Sequence, residues 1–285
     1  ISQYVALAHT EGCGVSSGQS EKIYTRTLIG HLTHPKVALG LLLEHGCEKT
    51  HNDHVSNALE KRGIKNDGYG WASIQLDGGI ETVTQKVENW FEDALGEMPS
   101  PRYADVGLEH LRLGLTSTGK VTEEVAKSLA ELTRIVVGAE GTLVTPANAT
   151  FLTSSNYIEK VLGDQERRNT LAYGQTVADT GFHIMETPTD HPVETLTGLG
   201  ATDVDVVLAH VVGHPLQSHR MIPLIQTTTD ETTQSIYQED LDLIPSQGDW
   251  TPESFSSQML DVILQVSSRQ YTPKLHGQGN TYFQF

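Results

Sequence analysis

The chain has 285 residues, a formal charge of −17 and a mean hydropathy of −0.29. That length allows one large α/β domain or two lobes with a real core. The acidic balance argues against nucleic acid as a partner, which would call for a basic face. It leaves room for an anionic small molecule, since Arg26 or Arg167-Arg168 can be locally positive within a negative whole. No apolar run approaches the roughly 20 residues needed to cross a bilayer, so no membrane role is expected. No basic-then-apolar signal segment opens the chain, and Ile1 fits a piece excised from a longer one.

Strand and helix signals alternate. Apolar runs at residues 4–8, 37–43 and 71–76 read as strands, followed by amphipathic stretches at 19–32, 52–62 and 80–95. Gly63 and Gly96 stand where a helix end favours a left-handed residue. Met98-Pro99-Ser100-Pro101 is the clearest break, because two prolines exclude helix and favour an extended linker. It separates a first lobe over 1–98 from a second over 105–285.

In the second lobe, runs at 111–115, 141–144, 182–185 and 204–212 read as strands. Residues 122–137 read as a helix with Val125, Leu129 and Leu132 on one face. A last helix over 252–266 follows an acidic, turn-rich stretch at 230–250, and Thr251-Pro252 marks its start. The expected fold is α/β, with two Rossmann-like lobes whose mainly parallel sheets are flanked by helices. No repeat of fixed period is present.

The two cysteines are the chemical signal of the first lobe. Cys13 lies in His9-Thr10-Glu11-Gly12-Cys13-Gly14, after the run at 4–8. Cys47 lies in His45-Gly46-Cys47-Glu48, after the run at 37–43. Ends of strands in open α/β sheets are where loops converge on ligands. Two such ends carrying sulfur, imidazole and carboxylate read as a site for a metal or a polar substrate. The bland reading is a pair of buried structural thiols. Two cysteines are too few for a disulfide framework, and a cytoplasmic setting is the default.

The histidines divide. The run His45, His51, Asp53 and His54 invites a metal reading, with His51 and His54 three apart on a helix face, a workable ligand spacing. His51 and Asp53 equally suit the cap and dipole of a helix start, which is the favoured reading. His210, His214 and His219 surround a strand end and a Pro-containing turn, and read as surface loop residues. Thr116-Ser117-Thr118-Gly119-Lys120 looks like a short phosphate loop but lacks the full Gly-x-x-x-x-Gly-Lys pattern.

The first fifty residues resemble the altronate/galactarate dehydratase family of sugar-acid dehydratases, specifically its C-terminal catalytic region. The resemblance is carried by His9-Thr10-x-Gly12-Cys13-Gly14, by Tyr24-Thr25-Arg26-Thr27-Leu28-Ile29-Gly30 with His34-Pro35, and by Gly46-Cys47-Glu48. It resumes at Met185-Glu186-Thr187-Pro188 with Asp190 and Pro192-Val193, and at Leu275-His276-Gly277. The chain departs from the family pattern elsewhere, as a divergent member. Thr116-Ser117-Thr118-Gly119 replaces a Cys-Gly-Gly-Ser-Asp loop, Asp164–Thr170 is shorter than the family's segment, and residues 213–220 replace a third cysteine loop.

The resemblance implies a carbon–oxygen lyase that dehydrates altronate or galactarate to a 2-keto-3-deoxy acid. A sulfo-lyase acting on sulfolactate shares the scaffold. Such chemistry removes a proton beside a carboxylate, neutralises the enediolate and helps the β-hydroxyl leave. His9, Glu11, Cys13, Cys47 and Glu48 are the candidate catalytic residues. Thr10, Thr25 and Arg26 are candidates for substrate binding, Arg26 by bidentate pairing with a carboxylate. The resemblance also implies a divalent metal, iron first and manganese as an alternative. His9, Cys13, Cys47 and Glu48 are the available mix of ligands.

The partners expected are a sugar acid and a separate or fused N-terminal gating domain, with a homo-oligomer possible. The altered loops support a different class of function as well: a non-catalytic domain that binds a sugar acid or supports assembly of a longer dehydratase-like protein.

Overall fold

The computed structural model describes residues 3–15, 17–163, 170–246, 250–277 and 283–285. They form two compact units. One comprises His9–Asp105 with Phe285, and the other comprises Gln3–Ala8 with Val106–Gln284.

The first unit holds helices α1 (Gly18–Leu32), α2 (Asn52–Glu60) and α3 (Ile80–Glu97) with strands β1 (Leu41–Glu44) and β2 (Gly70–Ser73). The strands are parallel, with Leu41 opposite Gly70 and Glu44 opposite Ser73. Gly70 permits that approach, because a Cβ there would lie 2.6 Å from Leu41 Cδ1 and 2.8 Å from Trp90. Val55 and Leu59, four apart on α2, bury against Ile29, with Leu42 and Trp71 packed alongside.

Three expectations change here. The run at 4–8 forms no strand, and Tyr4 is 70% exposed. The strand expected over 37–43 begins only after a turn in which Val37 N donates to His34 O. Gly96 lies inside α3, and the helix stops instead at Met98, whose extended backbone (ψ 131°) is what a following proline imposes. Gly63 does take the left-handed conformation, at φ 72°.

The second unit is a five-stranded parallel sheet of β3 (Arg112–Ser117), β4 (Thr142–Pro146), β5 (Gly181–Met185), β6 (Val206–His210) and β7 (Leu224–Thr227), in the order β5-β4-β3-β6-β7. The strand order reverses at β3, giving the doubly wound arrangement with its crevice beyond the ends of β3 and β6. Helices α4 (Glu123–Gly138) and α8 (Pro252–Ser267) join Leu113, Leu115, Leu208 and Ile225 in one buried cluster through Leu129, Leu132, Phe255, Met259 and Ile263. Thr122 caps α4 by accepting from Val125 N, and Thr251 with Ser254 forms a reciprocal capping box on α8.

Strand β7 and the short helices α5 (Ser155–Val161), α6 (Pro192–Gly200) and α7 (Glu231–Tyr237) carry no strong periodic signal. Strand β7 hides a polar residue in the core: Gln226 is fully buried and bonds Leu216 N and O with its side chain. Residues 98–107 contain neither helix nor strand. No helix of the described residues is long and apolar enough to cross a membrane.

Candidate functional site

The loop leaving β1 is built around Glu48. Its two carboxylate oxygens accept from the backbone N–H groups of His45 and Gly46, each at 2.7 Å. Burial pushes this carboxyl up, but backbone N–H groups of residues 45–48 outweigh it and hold it below its ordinary value. Gly46 sits at φ 108°, and a Cβ there would come within 2.9 Å of Gln75 Cβ and Ser73 Oγ. Only glycine makes this turn without strain.

The thiols meet at this loop. Cys13, in a turn closed by Val15 N donating to Gly12 O, donates from Sγ to Cys47 O at 3.2 Å. His45 Nδ1 lies 3.3 Å from Cys47 Sγ. Both cysteines are free and exposed. The Cys47 thiol is pushed up, first by hydrogen bonding with the Cys13 thiol, then by partial burial and the charges of Cys13 and Glu48.

A second cluster forms on α1. His9 Nδ1 lies 3.4 Å from Glu11 Oε2, and His9 Nε2 lies 3.4 Å from the Tyr24 hydroxyl. The His9 ring meets Tyr24 and Phe285 edge-on, with centroids 5.4 and 5.2 Å away. Glu11 feels burial most, which raises it, but bonds to His9 and the backbone bring it below the usual value. Tyr24 is pushed up by burial and by the charges of Glu48, Glu11 and Glu44, against a hydrogen bond with Thr50. Its hydroxyl therefore stays protonated at neutral pH.

The candidate residues thus fall into two groups. Cys13, Cys47 and Glu48 gather with His45, and His9 gathers with Glu11 and Tyr24. His45 opened the histidine run read from the sequence as a metal candidate, whereas Tyr24 was given no role there. Tyr24 opens the segment that carries the family resemblance, and that position was the signal for it. Of the substrate candidates, Thr10 is exposed and Arg26 half-buried. Thr25 Oγ1 is engaged by His54 Nε2 at 2.8 Å, with Glu21 4.0 Å from the same nitrogen. His51 occupies the N-cap position of α2 without a side-chain bond, and the carboxylate of Glu44 instead accepts from Asn52 N.

The donor set as placed does not fit a metal ion. Among the described residues, no group of three or more His, Cys, Asp and Glu side chains is arranged to hold one. Glu48 spends both oxygens on the backbone, and the His9 ring lies between Glu11 and Tyr24. The expectation of iron rests on the sequence resemblance alone.

In the second unit, the loop over 116–120 is occupied by the fold. Ser117 Oγ bonds Thr150 Oγ1 at 2.8 Å and accepts from Phe151 N. His210 and His219 are buried, contrary to the surface reading, and only His214 is exposed. His219 Nδ1 accepts from Met221 N and Ile222 N, so it shapes its own turn. Residues 164–169, including Arg167 and Arg168, lie outside the described residues.

Both units are α/β with parallel sheets, and the first ends a strand in a loop of thiol and carboxylate groups. Residues 1–98 match the family model described as D-galactarate dehydratase/Altronate hydrolase, second domain. No curated protein matches the chain.

Proposed function

We propose that the chain acts in the dehydration of a sugar acid such as altronate or galactarate, giving a 2-keto-3-deoxy acid, in the cytoplasm. The family match over residues 1–98, which spans every candidate catalytic residue, carries this reading. The geometry adds roles. His9, with Nδ1 3.4 Å from Glu11 and Nε2 3.4 Å from the Tyr24 hydroxyl, forms with Tyr24 the pair that takes and gives the proton. The Tyr24 hydroxyl, kept protonated, is the acid that serves the departing β-hydroxyl. Thr10 and Arg26 would hold the substrate's hydroxyl and carboxylate groups.

A second domain implies a first, so a gating domain, fused or separate, is the partner proposed. The test is turnover of altronate, galactarate and sulfolactate with Fe²⁺, beside a chelated control, followed by assay of the 2-keto product. Product formed in the presence of iron supports the reading. Turnover surviving complete chelation agrees with a donor set that holds no metal.

The backbone capture of Glu48 favours a second reading, a non-catalytic domain that binds or supports a catalytic partner. It is the reading that stands if no sugar acid is consumed and tight binding of one is measured by calorimetry.

A further inference from the structure

The chain's two cysteines lie 34 positions apart in sequence and meet in the first unit, where the Cys13 thiol donates to the backbone oxygen of Cys47 at 3.2 Å. Both are exposed and free, so a small oxidant reaches them. The backbone around them is adaptable. A Cβ at Gly12 or Gly14 would meet nothing within 4 Å, so the turn carrying Cys13 has open space on both flanks. His45 Nδ1 lies 3.3 Å from the Cys47 sulfur.

We propose that Cys13 and Cys47 are a paired oxidation site that hydrogen peroxide converts to an intramolecular disulfide. One thiolate sulfur attacks a peroxide oxygen, the O–O bond breaks and hydroxide leaves, giving a sulfenic acid. The second thiolate attacks that sulfur, the S–S bond forms, the S–O bond breaks and hydroxide leaves, and the protons given up by the two thiols turn both hydroxides into water. Two thiols and one peroxide become one disulfide and two waters, with sulfur oxidised and peroxide reduced. The Cys13 thiol already contacts Cys47, so closure needs a local shift of the Cys13 turn between Gly12 and Gly14 to reach disulfide geometry.

The bond would tie the turn after His9 and Glu11 to the loop that carries Glu48. Its effect on turnover rests on the lyase reading above, but its formation does not.

The test treats the reduced full chain with hydrogen peroxide, alkylates remaining thiols and maps peptides without reductant. The expected product is a monomer in which the Cys13 and Cys47 peptides are joined, restored to two alkylated peptides by dithiothreitol. Cys13→Ser should leave Cys47 as a sulfenic acid that dimedone traps, and Cys47→Ser the converse. Full alkylation of both thiols after peroxide, a bond only between two chains, or over-oxidation of one cysteine without a crosslink would each overturn the proposal. A crosslink in a chain that consumes no sugar acid supports the thiol site while sinking the lyase reading. If the chain is active, oxidation should remove turnover and reductant should restore it.

Discussion

His9 Nε2 and the Tyr24 hydroxyl lie 3.4 Å apart, and the same imidazole turns its other nitrogen to Glu11. A buried phenol held against a histidine that a carboxylate orients is an arrangement for moving a proton. Tyr24→Phe removes the hydroxyl and keeps the ring contacts with His9 and Phe285. It should lower kcat by about 10²–10⁴-fold while changing folding stability by only about 1 kcal/mol. Steady-state kinetics beside urea unfolding checks both. An unchanged kcat would remove Tyr24 from the chemistry.

The loop around Glu48 makes a stability prediction. Gly46→Ala introduces a Cβ at φ 108° against Gln75 and Ser73, and should destabilise the first unit by about 1–3 kcal/mol. Glu48→Ala, which releases two backbone donors, should cost a comparable amount, about 1–3 kcal/mol. Glu48→Gln keeps one carbonyl acceptor and should fall between Glu48→Ala and the parent. Denaturant midpoints order the three.

Acid should weaken the first unit through His31. It is buried, its Nδ1 bonds Thr27 O, and burial above all lowers it to about 4. Its folded value lies below the ordinary one, so the unfolded chain binds the extra proton. Stability is full above about pH 6.5 and falls as pH drops towards about 4, by at most about 3 kcal/mol. Glu11 and Glu48, both lowered, act in the same sense at still lower pH. The second unit is balanced: burial lowers His210 to about 4, whereas burial raises Asp203 to about 6 despite Arg112. Ionised Asp203 is disfavoured in the fold, so acidification relieves it while it strains His210. Unfolding monitored near pH 7 and near pH 4.5 should show a first unit far more acid-sensitive in the parent than in His31→Leu.

Residues 98–107 lack helix and strand, and Tyr103 and Val106 are 76% and 64% exposed. Limited proteolysis should cut there first. First cuts within α4 would contradict the division into units.

The sequence was readable where periodicity and capping agree. Thr122 and Thr251 mark the starts of α4 and α8, and Val125, Leu129 and Leu132 are the buried stripe expected of α4. The strands of the second unit were readable because continuous apolar runs suit a sheet covered on both faces. Residues 4–8 show the limit: an apolar run becomes a strand only if a ladder partner exists, and partners are a property of the whole fold. The candidate site was half readable. The Gly-Cys pairs located the loops, but neither Glu48's role as a backbone acceptor nor Tyr24's approach to His9 follows from spacing, since each depends on how the chain returns across tens of residues.

The central strand β3 has its two neighbours made at very different times. Arg112 pairs with Thr142 on one side, while on the other its N–H reaches Asp205 across 93 positions. During synthesis, β3 and β4 can pair early, but the opposite edge of β3 stays unsatisfied until β6 emerges. A chain ended near residue 200 should therefore expose a raw, apolar strand edge and aggregate, whereas one carried past α8, which covers the same apolar cluster, should remain dispersed.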